Sequence, residues 1–236
     1  MTGALDLLGF GPAGWGLPLL KATGMTLAAA VCGFGLGAVF GICGAALKLS
    51  RRGGLRLVGQ AYTTLFRGVP EILVIYLFYF GGSIALTAAL NLGGFPGFFS
   101  LPSFVIGVLA IGIVSGAYQT EAFRAAFLRL DRGQLEAAAA CGMPPALRLR
   151  RIVAPQTLRF ALPALGNIWQ SVVKETSLLS VIGLTELLRQ AGIAAGSTRQ
   201  PLLFYGVAAL VFLTIGKVTG AVLSGLERRL ARPWSR

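Results

Sequence analysis

The chain reads as an all-α integral membrane protein of about five transmembrane helices, and three observations carry that reading. Of its 236 residues, 55% are hydrophobic and only 12% charged, about half the charged share of a soluble domain. Ala22 to Leu47 and Ile72 to Thr120 contain no Asp, Glu, Lys or Arg, and about 20 apolar residues suffice to cross a bilayer. The basic residues gather beside these apolar runs: Lys48, Arg51, Arg52 and Arg56, then Arg129, Arg132, Arg148, Arg150, Arg151 and Arg159, then Arg228, Arg229, Arg232 and Arg236.

The first span is expected from about Thr23 to Leu47, with Gly33, Gly37 and Gly41 at four-residue spacing making a groove of small residues on one face. After a basic turn, Leu55 to Phe66 reads as an interfacial helix. Pro70, tolerated at a helix start, leads into a second span ending near Leu90. The uncharged linker Asn91 to Pro102 places Phe95, Phe98 and Phe99 near the outer interface, and a third span follows from Ser103 to about Phe123. A polar, basic block from Arg124 to Arg159 precedes a fourth span, Phe160 to Leu184, interrupted by Lys174-Glu175-Thr176-Ser177. Thr185 to Gln200 reads as a polar connection, and Pro201 to Leu223 as the fifth span.

Five spans put the termini on opposite sides. Setting the tail inside places the three basic clusters there and leaves Lys21, Arg189 and Arg199 outside, which supports an outside N-terminus. That clustering also removes nucleic acid as the partner of the +13 net charge; membrane lipid is the partner instead. With no His, and with Cys32 and Cys43 roughly 16 Å apart along one helix, neither a zinc site nor a disulfide framework is expected. The first charges, Asp6 and Lys21, do not form the basic start of a cleavable signal peptide.

The most specific pattern lies between spans three and four: Glu136-Ala137-Ala138, then Gly142, then Ile152-Val153-Ala154-Pro155. Asp131 with Gln134 offers a capping-box-like start, Gly142 a stop, and Pro144 or Pro145 a second start, so two short helices are expected. The spacing resembles the EAA signature of ABC importer permeases, with Ala154 where that family has Leu. Gly24-Met25-Thr26-Leu27, Arg67-Gly68-Val69-Pro70-Glu71, Ser115 to Arg124, Leu162 to Asn167 and Lys174 to Leu178 extend the resemblance to roughly residues 20 to 230. These look like polar amino acid permeases. Asn167-Ile168-Trp169-Gln170 and Leu226-Glu227-Arg228-Arg229 are most similar to the Q-type subunit of histidine/lysine/arginine/ornithine and opine transporters.

The resemblance implies a type I importer (MetI-like) fold in a bacterial inner membrane. It makes residues 1–22 a periplasmic segment, 23–224 the permease domain with a coupling loop at about 129–159, and 225–236 a cytoplasmic tail. It implies an M-type permease partner, two ATPase subunits and a periplasmic solute-binding protein, with Glu136, Ala137, Ala138, Gly142, Ile152 and Pro155 meeting the ATPase. The chain itself has no phosphate loop of the Gly-x4-Gly-Lys-Ser/Thr type. ATP and Mg are therefore expected on the partner, with no cofactor, metal or catalytic residue here.

Ionisable groups within spans are costly and mark pathways by default. Tyr118, Glu121, Glu175, Thr176 and Ser177 are therefore expected to line the substrate path, the carboxylates offsetting the charge of a polar, cationic amino acid. Glu71 and Lys217 are weaker candidates. The competing class is an ATP-independent carrier or channel, which leaves the EAA-like loop unexplained. A membrane-embedded enzyme lacks any nucleophile with a base.

Overall fold

The computed structural model describes residues 7–11, 14–95 and 97–231, and every regular element among them is helical. Arg232 and Arg236 of the third basic cluster, and part of the expected outer segment, lie outside the described residues. Helix α1 (Gly16–Leu49) starts ahead of the expected Thr23, because Leu19 and Ala22 are still covered, Leu19 by Leu187 and Phe204. Helix α2 (Gly53–Gly68) turns Gly59 and Thr63 inward and leaves Leu57, Val58 and Leu65 exposed, as an interfacial helix should. Tyr62 on α2 donates to the Ile113 carbonyl at 2.7 Å. Burial pushes its phenol up to about 12, so it stays a donor at neutral pH.

Helix α3 (Glu71–Leu92) starts after Pro70 and contains one π turn, Leu77–Gly81. The linker that follows folds back on it: Ser83 accepts from the Leu101 amide at 3.1 Å and Thr87 from the Phe99 amide at 3.0 Å. Phe95 and Phe98 remain exposed.

Helix α4 (Ser103–Leu128) is the central element. Its face against α1 is built for close approach. A Cβ on Gly33 would lie 2.8 Å from Ile111 Cγ2, and one on Gly41 2.7 Å from Gln119 Cβ. The fit is reciprocal, since Gly112 and Gly116 of α4 receive Leu36 and Phe40 of α1. The groove expected from the glycine spacing is thus filled within the chain, where dispersion rather than water exclusion supplies the attraction. Ala29 and Ala30 of α1, Val74 and Ile75 of α3, Ala110, Ile111 and Val114 of α4, and Val172, Val173 and Leu179 farther along make one core.

Helix α5 (Arg132–Ala140) leads through a short turn to α6 (Pro145–Ile182). The second of the two expected short helices is not separate: α6 runs from Pro145 through a π turn, Leu149–Val153, into the span. It ends in a 3-10 stretch, Thr176–Ile182. The polar connection expected at Thr185 to Gln200 is instead helix α7 (Leu187–Thr198), which makes a 54° bend with α6. Glu186 caps it, accepting from Leu188 and Arg189 amides at 2.8 and 2.7 Å. Leu187, Ala191 and Ala195 are packed against Leu19 and Phe204. Their i, i+4 spacing behind an acidic cap was the overlooked signal. Helix α8 (Pro201–Ala231) closes the described chain. Among the described residues four helices are individually long and apolar enough to span, and the bent α6–α7 pair meets the same test taken together, which brings the number to five when the pair is counted as one broken span.

Candidate functional site

Between α3, α4 and α6 lies a cavity of about 290 Å³ whose polar lining is Glu71, Ser115, Tyr118, Asn167, Ser171 and Glu175. Glu71 is the first residue of α3. Glu175 is the last α-helical residue of α6 before the 3-10 stretch. The two carboxyls border both this cavity and the small void on its core side, and no ion pair with either is formed among the described residues. On their other side stand Ile75, Ile111, Val114 and Leu178, so the pair forms the border between a polar cavity and the packed core. The Tyr118 ring makes a wall of the cavity and carries Arg67 over its face, 5.3 Å from the ring centre.

The structure brings together only part of the expected path. Tyr118 and Glu175 share the cavity. Glu121 does not line it: this carboxylate pairs with Lys48 of α1 and lies 3.5 Å from Arg124, while Lys48 also donates to Thr63 of α2 at 2.9 Å. Thr176 is fully buried, its hydroxyl donating back to the Val173 carbonyl at 2.7 Å. Ser177 donates to the Lys174 carbonyl at 2.7 Å and faces a second groove, of about 720 Å³, between α6 and α8. These back-bonds serve carbonyls where the hydrogen-bond step tightens from four residues to three. Lys174, adjacent in sequence to Glu175, lines that groove with Lys217, so the neighbouring charges do face different surroundings. Glu71 gains most: ranked below the others from sequence, it sits against Glu175.

The EAA-like block is held as follows. Asp131 caps α5, accepting from the Gly133 amide at 2.9 Å. Gln134 does not complete a capping box; its carbonyl oxygen accepts from Gln156 Nε2 at 2.8 Å instead. Gly142 ends α5 with φ +75°, a left-handed position that suits glycine. Glu136 and Ala137 are exposed while Ala138 is buried, so α5 has an outer and an inner face. Ile152 is half-buried and Pro155 exposed on α6.

Residues 33–232 match the family described as the binding-protein-dependent transport system inner membrane component. The chain is 52% identical to the octopine transport system permease protein OccQ of Rhizobium radiobacter over 96% of each chain. To the histidine/lysine/arginine/ornithine transport system permease protein HisQ of Escherichia coli (strain K12) it is 36% identical, over 89% of this chain and 92% of the other. A crystal structure of an amino acid ABC transporter with histidines is 30% identical, with a TM-score of 0.77 over 97% and 99% of the two chains. Inward-facing MetNI methionine ABC transporter, at 16% identity and TM-score 0.68 over 91% and 94%, shares the fold. Nothing in these likenesses favours an ATP-independent carrier. The chain belongs to the binding-protein-dependent transport system inner membrane components and is a permease subunit of an ATP-driven importer, with ATP hydrolysis on a separate chain.

Proposed function

We propose that this permease carries amino acids or opines bearing a cationic group, and that Glu71 and Glu175 receive that group. The observation that carries the reading is the carboxyl pair itself. Two carboxyls facing one small cavity are costly to ionise together, since two charges about 4 Å apart repel by about 4 kcal/mol at an effective dielectric constant of 20, and among the described residues neither Glu71 nor Glu175 forms an ion pair. A guanidinium or ammonium entering the cavity relieves that repulsion and can bond both groups, with Tyr118, Asn167 and Ser171 supplying further polar contacts. The names of the relatives, octopine, nopaline and histidine/lysine/arginine/ornithine permeases, support this cargo class.

The exposed outer face of α5, with Glu136 and Ala137, together with Ala138, Gly142, Ile152 and Pro155, forms the contact for an ATPase subunit, which holds ATP and Mg. The full importer pairs this chain with an M-type permease, two ATPases and a periplasmic solute-binding protein in the bacterial inner membrane. The basic clusters face the cytoplasm, with the N-terminal segment of residues 1–22 on the periplasmic side and 225–236 as the cytoplasmic tail.

Cargo-stimulated ATP hydrolysis by the reconstituted permease–ATPase complex, measured without its binding protein, isolates the preference of the permease. Cationic amino acids or opines stimulate, and neutral analogues of the same size do so at least tenfold more weakly. Equal stimulation by both overturns the proposed selectivity.

A further inference from the structure

Helix α5 joins α6 through a compliant connection. Gly142 adopts a left-handed turn, residues 149–153 form a π turn in which the regular four-residue hydrogen-bond step is lost, and Pro155 removes another backbone donor. A push on α5 passed only along the backbone would be absorbed at these three places before reaching the span. One side-chain bond bypasses all of them: Gln156, the residue after Pro155, donates from Nε2 to Gln134 Oε1 on α5 at 2.8 Å.

The faces of α5 suit this arrangement. At about 100° per residue, Ala138 lies near Gln134, and Glu136 lies about 200° around. Ala138 is buried and Glu136 exposed. Gln134 is itself exposed and Gln156 half-buried, so the brace runs along the rim of the inner face, with the pushed face opposite. From Gln156, α6 continues to Glu175, about 28 Å away at 1.5 Å per residue.

We propose that the Gln134–Gln156 hydrogen bond is the strut that transmits movement of α5 to α6, and so to the carboxyl pair in the cavity. Gln134 and Gln156 are positioning residues, and the inference rests on α5 being the ATPase contact. Opposite it, α5 hangs from α4 by Arg129, Leu130 and Asp131, with Leu130 buried. Without the strut, α5 remains attached to α4 and still docks its ATPase, but α6 no longer follows it.

The test uses the complete reconstituted importer and reads cargo moved per ATP hydrolysed. Gln134→Ala and Gln156→Ala each lower that ratio at least threefold, with ATPase copurification unchanged. The double variant is no worse than either single, and Gln134→Glu combined with Gln156→Lys restores the ratio by rebuilding the contact as an ion pair. An unchanged ratio in the single variants, or an additive double variant, overturns the strut. Glu136→Lys separates the underlying reading: if it leaves ATPase copurification intact, the ATPase contact is misplaced, whatever the glutamine variants do.

Discussion

Glu121 and Glu175 stand on neighbouring helices in similar apolar stretches, and the molecule treats them in opposite ways. Glu121 meets two cations, Lys48 and Arg124, and through Lys48 it is tied to Thr63, so that α1, α2 and α4 are held at one point. Glu175 meets another acid, Glu71, at the edge of an open polar cavity. A compensated carboxylate has no unmet demand for a ligand; a carboxylate facing its like has one. The partner, more than the depth in the membrane, separates a structural charge from a binding charge.

The sharpest way to break the contrast is to open the joint that holds Glu121. Gly41→Leu places a side chain where even a Cβ lies 2.7 Å from Gln119 Cβ. It should cost about 3 kcal/mol or more, at or beyond the usual range for overpacking. The expected result is loss of folded protein by size-exclusion chromatography in detergent. Next in size, Glu175→Gln should raise the KM for cationic cargo by about tenfold to a hundredfold, the equivalent of about 1.5–3 kcal/mol for a bond to a charged group. Thermal stability should be kept, because the repulsion from Glu71 is removed. If neutral cargo is affected equally, the charge is not being read.

The smallest effect belongs to Glu121→Gln, which leaves Lys48 without its carboxylate. The side chains are 12% and 26% exposed, so solvent screening limits the loss to about 1–2 kcal/mol. It should appear as a lower Tm with an unchanged KM. Adding Lys48→Met should recover part of the stability, because the uncompensated charge is then gone. A KM shift without a Tm shift in Glu121→Gln would reverse the assignments of the two acids.

The five spans were legible because charge-free runs and flanking basic clusters are local signals. The EAA-like spacing was legible for the same reason. Contacts between distant parts were not. Glu71 and Glu175 are more than a hundred positions apart in the sequence, and nothing near either residue announces the other. Gln134 was read through its nearest partner, Asp131, whereas the turn at Gly142 brings Gln156 within reach. Helix α7 was hidden by composition: its outer side mixes Arg189 and Ser197 with exposed Leu188 and Ile193, and its buried side, Leu187 with three alanines, meets Leu19 and Phe204, which are remote in sequence. The glycine groove of α1 could be seen as a groove, but not that α4 would answer it with glycines of its own.

The 3-10 stretch beyond Glu175 stores angle as well as length. It advances about 120° and 2.0 Å per residue against about 100° and 1.5 Å in an α-helix. Each residue that passed from one form to the other would turn the Glu175 side of α6 by about 20° relative to α7 and change the separation by about 0.5 Å. Seven residues are wound this way, from Thr176 to Ile182. The upper end of α6 is in this sense a screw thread of coarser pitch joined to a finer one, and a small slip of the joint would re-aim the carboxylate without moving the helix sideways.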